Sequence, residues 1–379
     1  GTYGATASTL VYTISGSTSD NTSLTITPTY AVSGDGNITD TSGNEMLNGE
    51  TVSGSDDIVP VLLSASYKDT NGDGTVNRID AVYSEDISGS IFESSDWTVT
   101  TNPHTLSVGS GVFSGNTVQI TVTGYPANTT VLGTTTVKYT NQGTSNSMTD
   151  GTNHAATSSV ITVSDAAAPV IVSAATSDDN KDGTVDRLTL TFSESVVITD
   201  GVTDNDITLS ASTGTASISA ASYGATASSL VYTISGATAD NTSLTITPTY
   251  AVGGDGNITD ASGNEMLNGE TVSGSDDIVP VLLSASYKDT NGDGTVNRID
   301  AVYSEDISGS IFESSDWTVT TNPHTLSVGS GVFSGNTVQI TVTGYPANTT
   351  VLGTTTVKYT NQGTSNSMTD GTNHAATSS

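Results

Sequence analysis

Residues 1–159 recur as residues 221–379 with seven differences, all before Ser42, so the chain repeats with a period of 220 residues. From Ser42 to Ser159 the two copies are identical. Folding alone does not demand such identity, because cores accept much hydrophobic substitution; recent duplication or continual homogenisation explains it. Whatever one copy folds into, the other has the means to fold into as well, so the architecture is modular.

A weaker repeat lies inside the long one. Aligned on their prolines, the stretches DDIVPVLLSASYKDTNGDGTVNRIDAVYSEDI from Asp56 and DAAAPVIVSAATSDDNKDGTVDRLTLTFSESV from Asp165 match at Asp69/Asp178, Asn71/Asn180, Asp73/Asp182, Gly74/Gly183, Tyr83/Phe192 and Glu85/Glu194. Two unit types, A and B, therefore alternate. The expected organisation is the later part of a B unit (1–55), an A unit (56–164), a B unit (165–275) and an A unit (276–379) without its VITVSD segment. A part-sandwich standing alone leaves unpaired strand edges. An excerpt of a longer array is the expected explanation, with completion of the ends by neighbouring molecules the alternative.

The local pattern has period two. Leu188, Leu190 and Phe192 alternate in RLTLTF, and Val118, Ile120 and Val122 in NTVQITV, as strands with one wet face require. Further strands are expected at Pro60–Tyr67, Trp97–Thr101, Thr134–Tyr139 and Val160–Val163, set apart by Gly/Asn/Ser turns. About seven short strands in a unit of roughly 110 residues is the count of an immunoglobulin-like β-sandwich. The expected fold is all-β: tandem sandwiches arranged as an elongated rod.

The order D-x-x-x-P-V-I/L, an Asp/Asn-rich DG loop, an alternating strand ending in Phe/Tyr-Ser-Glu, and a late T-D-x-S-G-N turn at Thr39–Asn44 and Thr259–Asn264 resembles the bacterial Ig-like repeats of adhesins, surface-layer proteins and other giant surface proteins. The resemblance covers essentially the whole chain. It implies an extracellular or cell-surface setting, and a role in adhesion, coating or spacing.

Asp69-Thr-Asn71-Gly-Asp73-Gly74-Thr75-Val-Asn77 has the D-x-N-x-D-G spacing of an EF-hand-type calcium loop, with side-chain oxygens at positions 1, 3 and 5 and a backbone carbonyl at position 7, at Thr75. The same grammar returns at Asp178, Asn180, Asp182, Thr184 and Asp186, and at Asp289, Asn291, Asp293, Thr295 and Asn297. Position 12 carries Asp80 and Asp300 in A but Thr189 in B; a strand beginning near Arg78 would carry it away, so it is not the expected shared ligand. Glu85, Glu194 and Glu305, with the junction acids Asp56, Asp165 and Asp276, are candidates for a second calcium shared across a unit junction. The competing readings are an Asx-capped turn for the loops and solvated linker residues for the junction acids.

Eight Lys+Arg against 39 Asp+Glu leave a net charge of −31, which favours cations as partners and argues against nucleic acid. No apolar run is long enough to insert in a membrane. With no cysteine, stability has to come from cores, metal ions or neighbouring repeats. His104, His154, His324 and His374 amount to two independent positions, and no G-x-S-x-G, H-E-x-x-H or phosphate-gripping loop accompanies them; an enzyme is not expected. Trp97 and Trp317 align with Ile207 of B and are expected in the core rather than on a sugar-stacking platform. Lys138 and Lys358 are expected to snorkel at the surface. Asn21, Asn37, Asn128, Asn241, Asn257 and Asn348 begin N-x-Ser/Thr triplets. The expected function is structural, a calcium-rigidified repeat of an extracellular filament, surface layer or adhesin stalk, packed against neighbouring repeats or copies of itself. The alternative is an adhesin whose loops read a glycan or protein, against which the identity of the copies argues.

Overall fold

The computed structural model describes residues 8–15, 26–31, 38–88, 90–101, 106–123, 135–143, 147–198, 206–212, 214–222, 226–235, 246–251, 258–274, 278–307, 310–321, 326–343, 355–363 and 367–378. Asp276, His104, His324 and the six N-x-Ser/Thr asparagines lie outside these residues. Among the described residues every regular element is a strand, apart from single 3-10 turns at Ser94–Asp96 and Ser314–Asp316. The protein is all-β, and none of its described helical segments is long and apolar enough to cross a membrane. The chain divides into two compact units at Ala167/Ala168.

In the first unit the strands are β1 (Leu62–Lys68), β2 (Arg78–Tyr83), β3 (Trp97–Thr100), β4 (Ser107–Ser114), β5 (Thr117–Thr123), β6 (Thr136–Tyr139) and β7 (Ile161–Asp165). They form a sheet of order β3-β6-β7-β1-β2-β5-β4. Strand β7 joins its halves: it runs parallel to β1, with Val163 opposite Ala65, and antiparallel to β6, with Ile161 opposite Val137. Alternation decides which side chains go inward. Ile79, Ala81 and Tyr83 of β2 and Val118, Ile120 and Val122 of β5 are buried, and with Val137, Tyr139 and Val163 they enclose one core. Trp97 belongs to it, 5 % exposed, its ring 5.4 Å from that of Tyr139 and stacked on Phe92. A buried indole in that position is core, not a platform for a ligand.

The second unit holds two cores. Strands β8 (Ile171–Ser177), β9 (Arg187–Val197), β10 (Ile207–Ala211), β11 (Ser217–Ser222), β12 (Thr226–Ser235), β13 (Ile246–Tyr250) and β14 (Thr259–Asp260) surround the first, built from Leu188, Leu190, Leu230, Tyr232, Ile246 and their neighbours. Here β9 is central, pairing with β8, β12 and β14. Strands β15 (Leu282–Lys288), β16 (Arg298–Tyr303), β17 (Trp317–Thr320), β18 (Ser327–Ser334), β19 (Thr337–Thr343) and β20 (Thr356–Tyr359) surround the second. They form a sheet of order β15-β16-β19-β18 and a separate pair, β17-β20.

The older repeat is visible in the hydrogen bonding. Strand pairs β1/β2, β8/β9 and β15/β16 each shift register at the same place, between Leu62 and Ser64, Ile171 and Ser173, and Leu282 and Ser284. The younger repeat has a different outcome at its two ends. Leu230, Tyr232, Ile246, Ile258 and Met266 are at most 1 % exposed, whereas their counterparts Leu10, Tyr12, Ile26, Ile38 and Met46 are 37–66 % exposed. In the second unit these side chains are covered by β9, opposite β12, and by the rest of that core.

Candidate metal centre

The serine of each Phe/Tyr-Ser-Glu triplet fixes where its glutamate lies. The Ser84 amide donates to the Val61 carbonyl at 2.9 Å and the Val61 amide donates to Ser84 Oγ at 3.0 Å. This reciprocal pair clamps the end of β2 to the segment that follows Asp56, and Glu85 is left beside that segment, 2 % exposed. The same clamp joins Ser193 to Val170 and Ser304 to Val281, and Glu194 and Glu305 are 5 % and 2 % exposed. Three glutamates are withdrawn from water at one structural place.

A third carboxylate arrives from the late turn. Asp150 Oδ1 accepts the amides of Thr152 at 2.5 Å and Asn153 at 2.6 Å, the Asx arrangement of a tight turn. The Asn153 side chain then donates to the Asp56 carbonyl at 3.1 Å, and Ser90 holds both the amide and the carbonyl of Thr149. Asp56, Glu85 and Asp150 each bring a carboxylate oxygen within 4.8 Å of the other two. Two of these were legible in the sequence; Asp150 was not singled out. The available signal was its place in the T-D-G-T-N turn, which aligns with the T-D-x-S-G-N turns at Asp40 and Asp260.

Calcium bonds of 2.3–2.6 Å place ligand oxygens no more than about 5 Å apart across the ion. Three hard oxygens within 4.8 Å of one another therefore fit one calcium. Without a cation, each pair of full charges at that distance repels by about 3.5 kcal/mol at an effective dielectric constant near 20. In the second unit Glu194 and Asp260 approach one another likewise, with Asp260 fixed by the Ser262 and Asn264 amides at 2.8 Å. Asp165 is the last residue of β7, opposite Tyr67, and its Oδ1 accepts the Ala167 amide at 3.0 Å. Glu305 has Asp370 as the counterpart of Asp150, held by the Thr372 and Asn373 amides.

The DG loops are organised by their own carboxylates. Asp178 Oδ1 accepts the Lys181 amide at 2.6 Å and Oδ2 the Gly183 amide at 2.8 Å; Asp289 does the same for Gly292 at 2.7 Å and Gly294 at 2.9 Å. Asp182 and Asp293 each take the amide two residues on, Thr184 and Thr295. Hydrogen bonds lower the pKa of both, chiefly that from the Thr184 side chain to Asp182 and that from the Asn291 side chain to Asp293. In the first loop Asp69 accepts the Asn71 amide at 3.2 Å, while Asp73 and Thr75 lie on the same turn. Position 9 closes each loop: Asn77 Oδ1 and Asn297 Oδ1 accept from Thr70 and Thr290, and Asp186 accepts the Asp179 and Asn180 amides. Asn71 Oδ1 is bound by the Asn77 side chain at 2.5 Å, and Asn180 Oδ1 takes the Asp182 amide at 2.9 Å.

Position 12 is turned to other work. Asp80 lies on β2 and pairs with Arg78, at 2.7 Å, and with Lys68; Asp300 pairs with Arg298 at 2.7 Å.

The loop glycine at position 6 has a structural duty of its own. Gly183 has φ +85°, and a Cβ there would meet Ser304 Cβ at 3.2 Å and a methyl of Leu283 at 3.3 Å. The loop of residues 178–186 is thereby seated against the core-bearing segment that follows it in the same unit.

No protein-family model matches the chain, and no curated protein and no solved structure does so either.

Proposed function

We propose that this chain is a calcium-stiffened structural segment of an extracellular filament, surface layer or adhesin stalk, built from tandem immunoglobulin-like β-sandwiches set end to end as a rod. The observation that carries the reading is the meeting of Asp56, Glu85 and Asp150 within 4.8 Å, at the start of a repeating unit and with Glu85 out of water. A cation held there ties a junction residue to two elements of the following unit's body. The seating of Gly183 on Leu283 and Ser304 supports a second restraint at a junction, since a calcium that ordered the 178–186 loop would order that contact too. Calcium binds the folded arrangement in preference to the unfolded chain and so stabilises it. The net charge of −31 means that every bound calcium also relieves self-repulsion.

The test is calorimetric titration of the chain with calcium, together with small-angle scattering and thermal unfolding before and after chelation. Saturable binding of several calcium ions per chain, with a longer and more thermostable particle when loaded, is the expected result. Unchanged dimensions and melting temperature on chelation would reduce the acid cluster and the DG loops to polar turns and defeat the proposal.

A further inference from the structure

The two A units present the same open sheet edge. Strand β4 ends its sheet beyond β5, and β18 ends its own beyond β19, so each is paired along one side only among the described residues. Hairpin geometry decides which backbone groups are left over. Ser114 and Thr117 face one another across a two-residue turn with Gly115 at φ +59°, and the pair that flanks such a turn exchanges both of its hydrogen bonds. Alternation then directs the amide and carbonyl of Val112 toward Gln119 of β5, and those of Gly111 and Phe113 away from it. In β18 the same register leaves Gly331 and Phe333 facing outward. None of these outward groups bonds another described segment.

Sheet edges are commonly protected by charge, by proline or by brevity, and this edge has none of the three. Strands β4 and β18 are eight residues long and carry no charged residue and no proline. The neutral stretch extends well beyond the strand: between Asp96 and Lys138, and again between Asp316 and Lys358, there is no Asp, Glu, Lys or Arg, in a chain with a net charge of −31. Like charge, which opposes contact between two copies of such a chain, is absent along this hairpin. Val112 and Val332 stand on the wet face of their strands, each 62 % exposed. The register shift between Val108 and Gly111 lies on the N-terminal side of Gly111, so Gly111–Ser114 remains a regular ribbon.

We infer that this edge is a lateral contact between two copies of the chain, in which Gly111–Phe113 of one copy pairs antiparallel with Gly111–Phe113 of the other about a two-fold axis at Val112. The segment is complementary to itself in that register. Gly111 of each copy lies opposite Phe113 of the other, and their outward amides and carbonyls satisfy one another. Val112 faces its own copy at roughly 4.5 Å between Cα atoms, the close spacing of a non-hydrogen-bonded pair, so the two exposed valines cover each other. The Phe92 ring lies against Gly111, in the space a side chain there would take; Phe113 of the second copy therefore meets an aromatic face across the pair. Gly331, Phe312 and Phe333 repeat the arrangement. A self-complementary edge needs no other kind of partner. One such contact is short, well below the ~1,000 Å² of a lasting interface, but each chain carries two, at β4 and β18, and association therefore continues past a dimer. The inference takes its setting from the filament-or-layer reading and does not depend on calcium.

The experiment is sedimentation velocity on the full chain over a concentration series reaching about 1 mM, run with calcium and with chelator, with calcium uptake measured on the same samples. Reversible association that grows with concentration is expected under both conditions. Val112→Lys combined with Val332→Lys should weaken it at least about tenfold, because two lysines then stand directly opposite one another, even though the change lowers the net negative charge. Val112→Glu combined with Val332→Glu should weaken it likewise, and mixing the two variant chains should restore it, because Lys then faces Glu. Both positions are exposed, so the variants keep the fold, which circular dichroism verifies. A parent chain that stays monomeric throughout overturns the inference. So does association that the lysine variant leaves intact, which would place the contact elsewhere, and so does a mixture that remains dissociated, which would mean that position 112 does not face its own copy. Association in a chain that takes up no calcium would defeat the calcium reading and leave this contact standing.

Discussion

Leu230 and Leu267 lie in the same unit, and only Leu230 is buried: it is 0 % exposed and Leu267 is 58 % exposed. Leu230 lies on β12 directly opposite Leu190 of β9, within the core that also holds Tyr232 and Ile246. Truncation to alanine at a fully buried leucine costs about 3–5 kcal/mol, the transfer term plus a cavity that the neighbours fill only in part. The same truncation at Leu267 removes a largely solvated side chain and costs under about 1 kcal/mol. Hydrogen exchange followed by mass spectrometry separates the two, because peptides from Arg187–Val197 occur once in the sequence. A loss of 3 kcal/mol in Leu230→Ala accelerates exchange of the most protected β9 amides about a hundredfold or more, while Leu267→Ala leaves those amides unchanged. Equal effects on global melting from the two variants would refute the reasoning, since they would show that burial of Leu230 opposite Leu190 does not set the stability of this unit.

Glu85→Gln keeps the shape of the buried side chain and removes its charge. It should delete one calcium from the titration stoichiometry of the chain, or weaken that site at least about tenfold, and Asp150→Asn should weaken the same site. Lys181 is the one described non-glycine residue with positive φ, at 62°, where the A units have Gly72 and Gly292 at 69° and 72°. Lys181→Gly should therefore stabilise the second unit by about 1 kcal/mol in urea melts. A Cβ at Gly111 would lie 2.1 Å from the Phe92 ring, so Gly111→Ala should push Phe92 off Trp97, cost about 1–3 kcal/mol and shift the tryptophan emission. Burial, and then Glu93 nearby, raise the pKa of Asp96 above its ordinary 3.8; the folded state holds that proton more tightly, so this residue's contribution to stability is largest below pH 3.8 and is lost as pH rises through its folded value. Asp96→Asn should accordingly gain melting temperature relative to the parent chain near neutral pH, and show less advantage at pH 4.

The periodicity of two in RLTLTF and NTVQITV, and the Gly/Asn turns between such runs, were enough to identify strands, because alternation maps straight onto the two faces of a pleated ribbon. Trp97 was legible as core from its alignment with Ile207, and the structure buries it against Tyr83 and Tyr139. Boundaries were less legible. Strand β9 runs on to Val197, five residues past the RLTLTF alternation, since β12 and β14 are there to pair with its second half. Strand β4 escaped notice: its residues are never more than half-buried, and GSG reads locally as a turn until β5 supplies a partner.

For the candidate site, sequence spacing found Asp56 and Glu85, 29 residues apart, because both recur in the older repeat. It did not connect them to Asp150, because a turn nearly a hundred residues from Asp56 approaches it only when Asn153 bonds the Asp56 carbonyl and Ser90 fixes Thr149. The sequence by itself determined the modules, their alternation, their strand character and the glycine positions of the DG loops, all of which depend on local sterics and on periodicity. Only the tertiary structure decided which strands lie beside one another, and so which side chains are covered. Burial is a property of the strand that lies alongside, and Tyr67 is covered because β7, nearly a hundred residues further on, runs parallel to β1 with Asp165 opposite it.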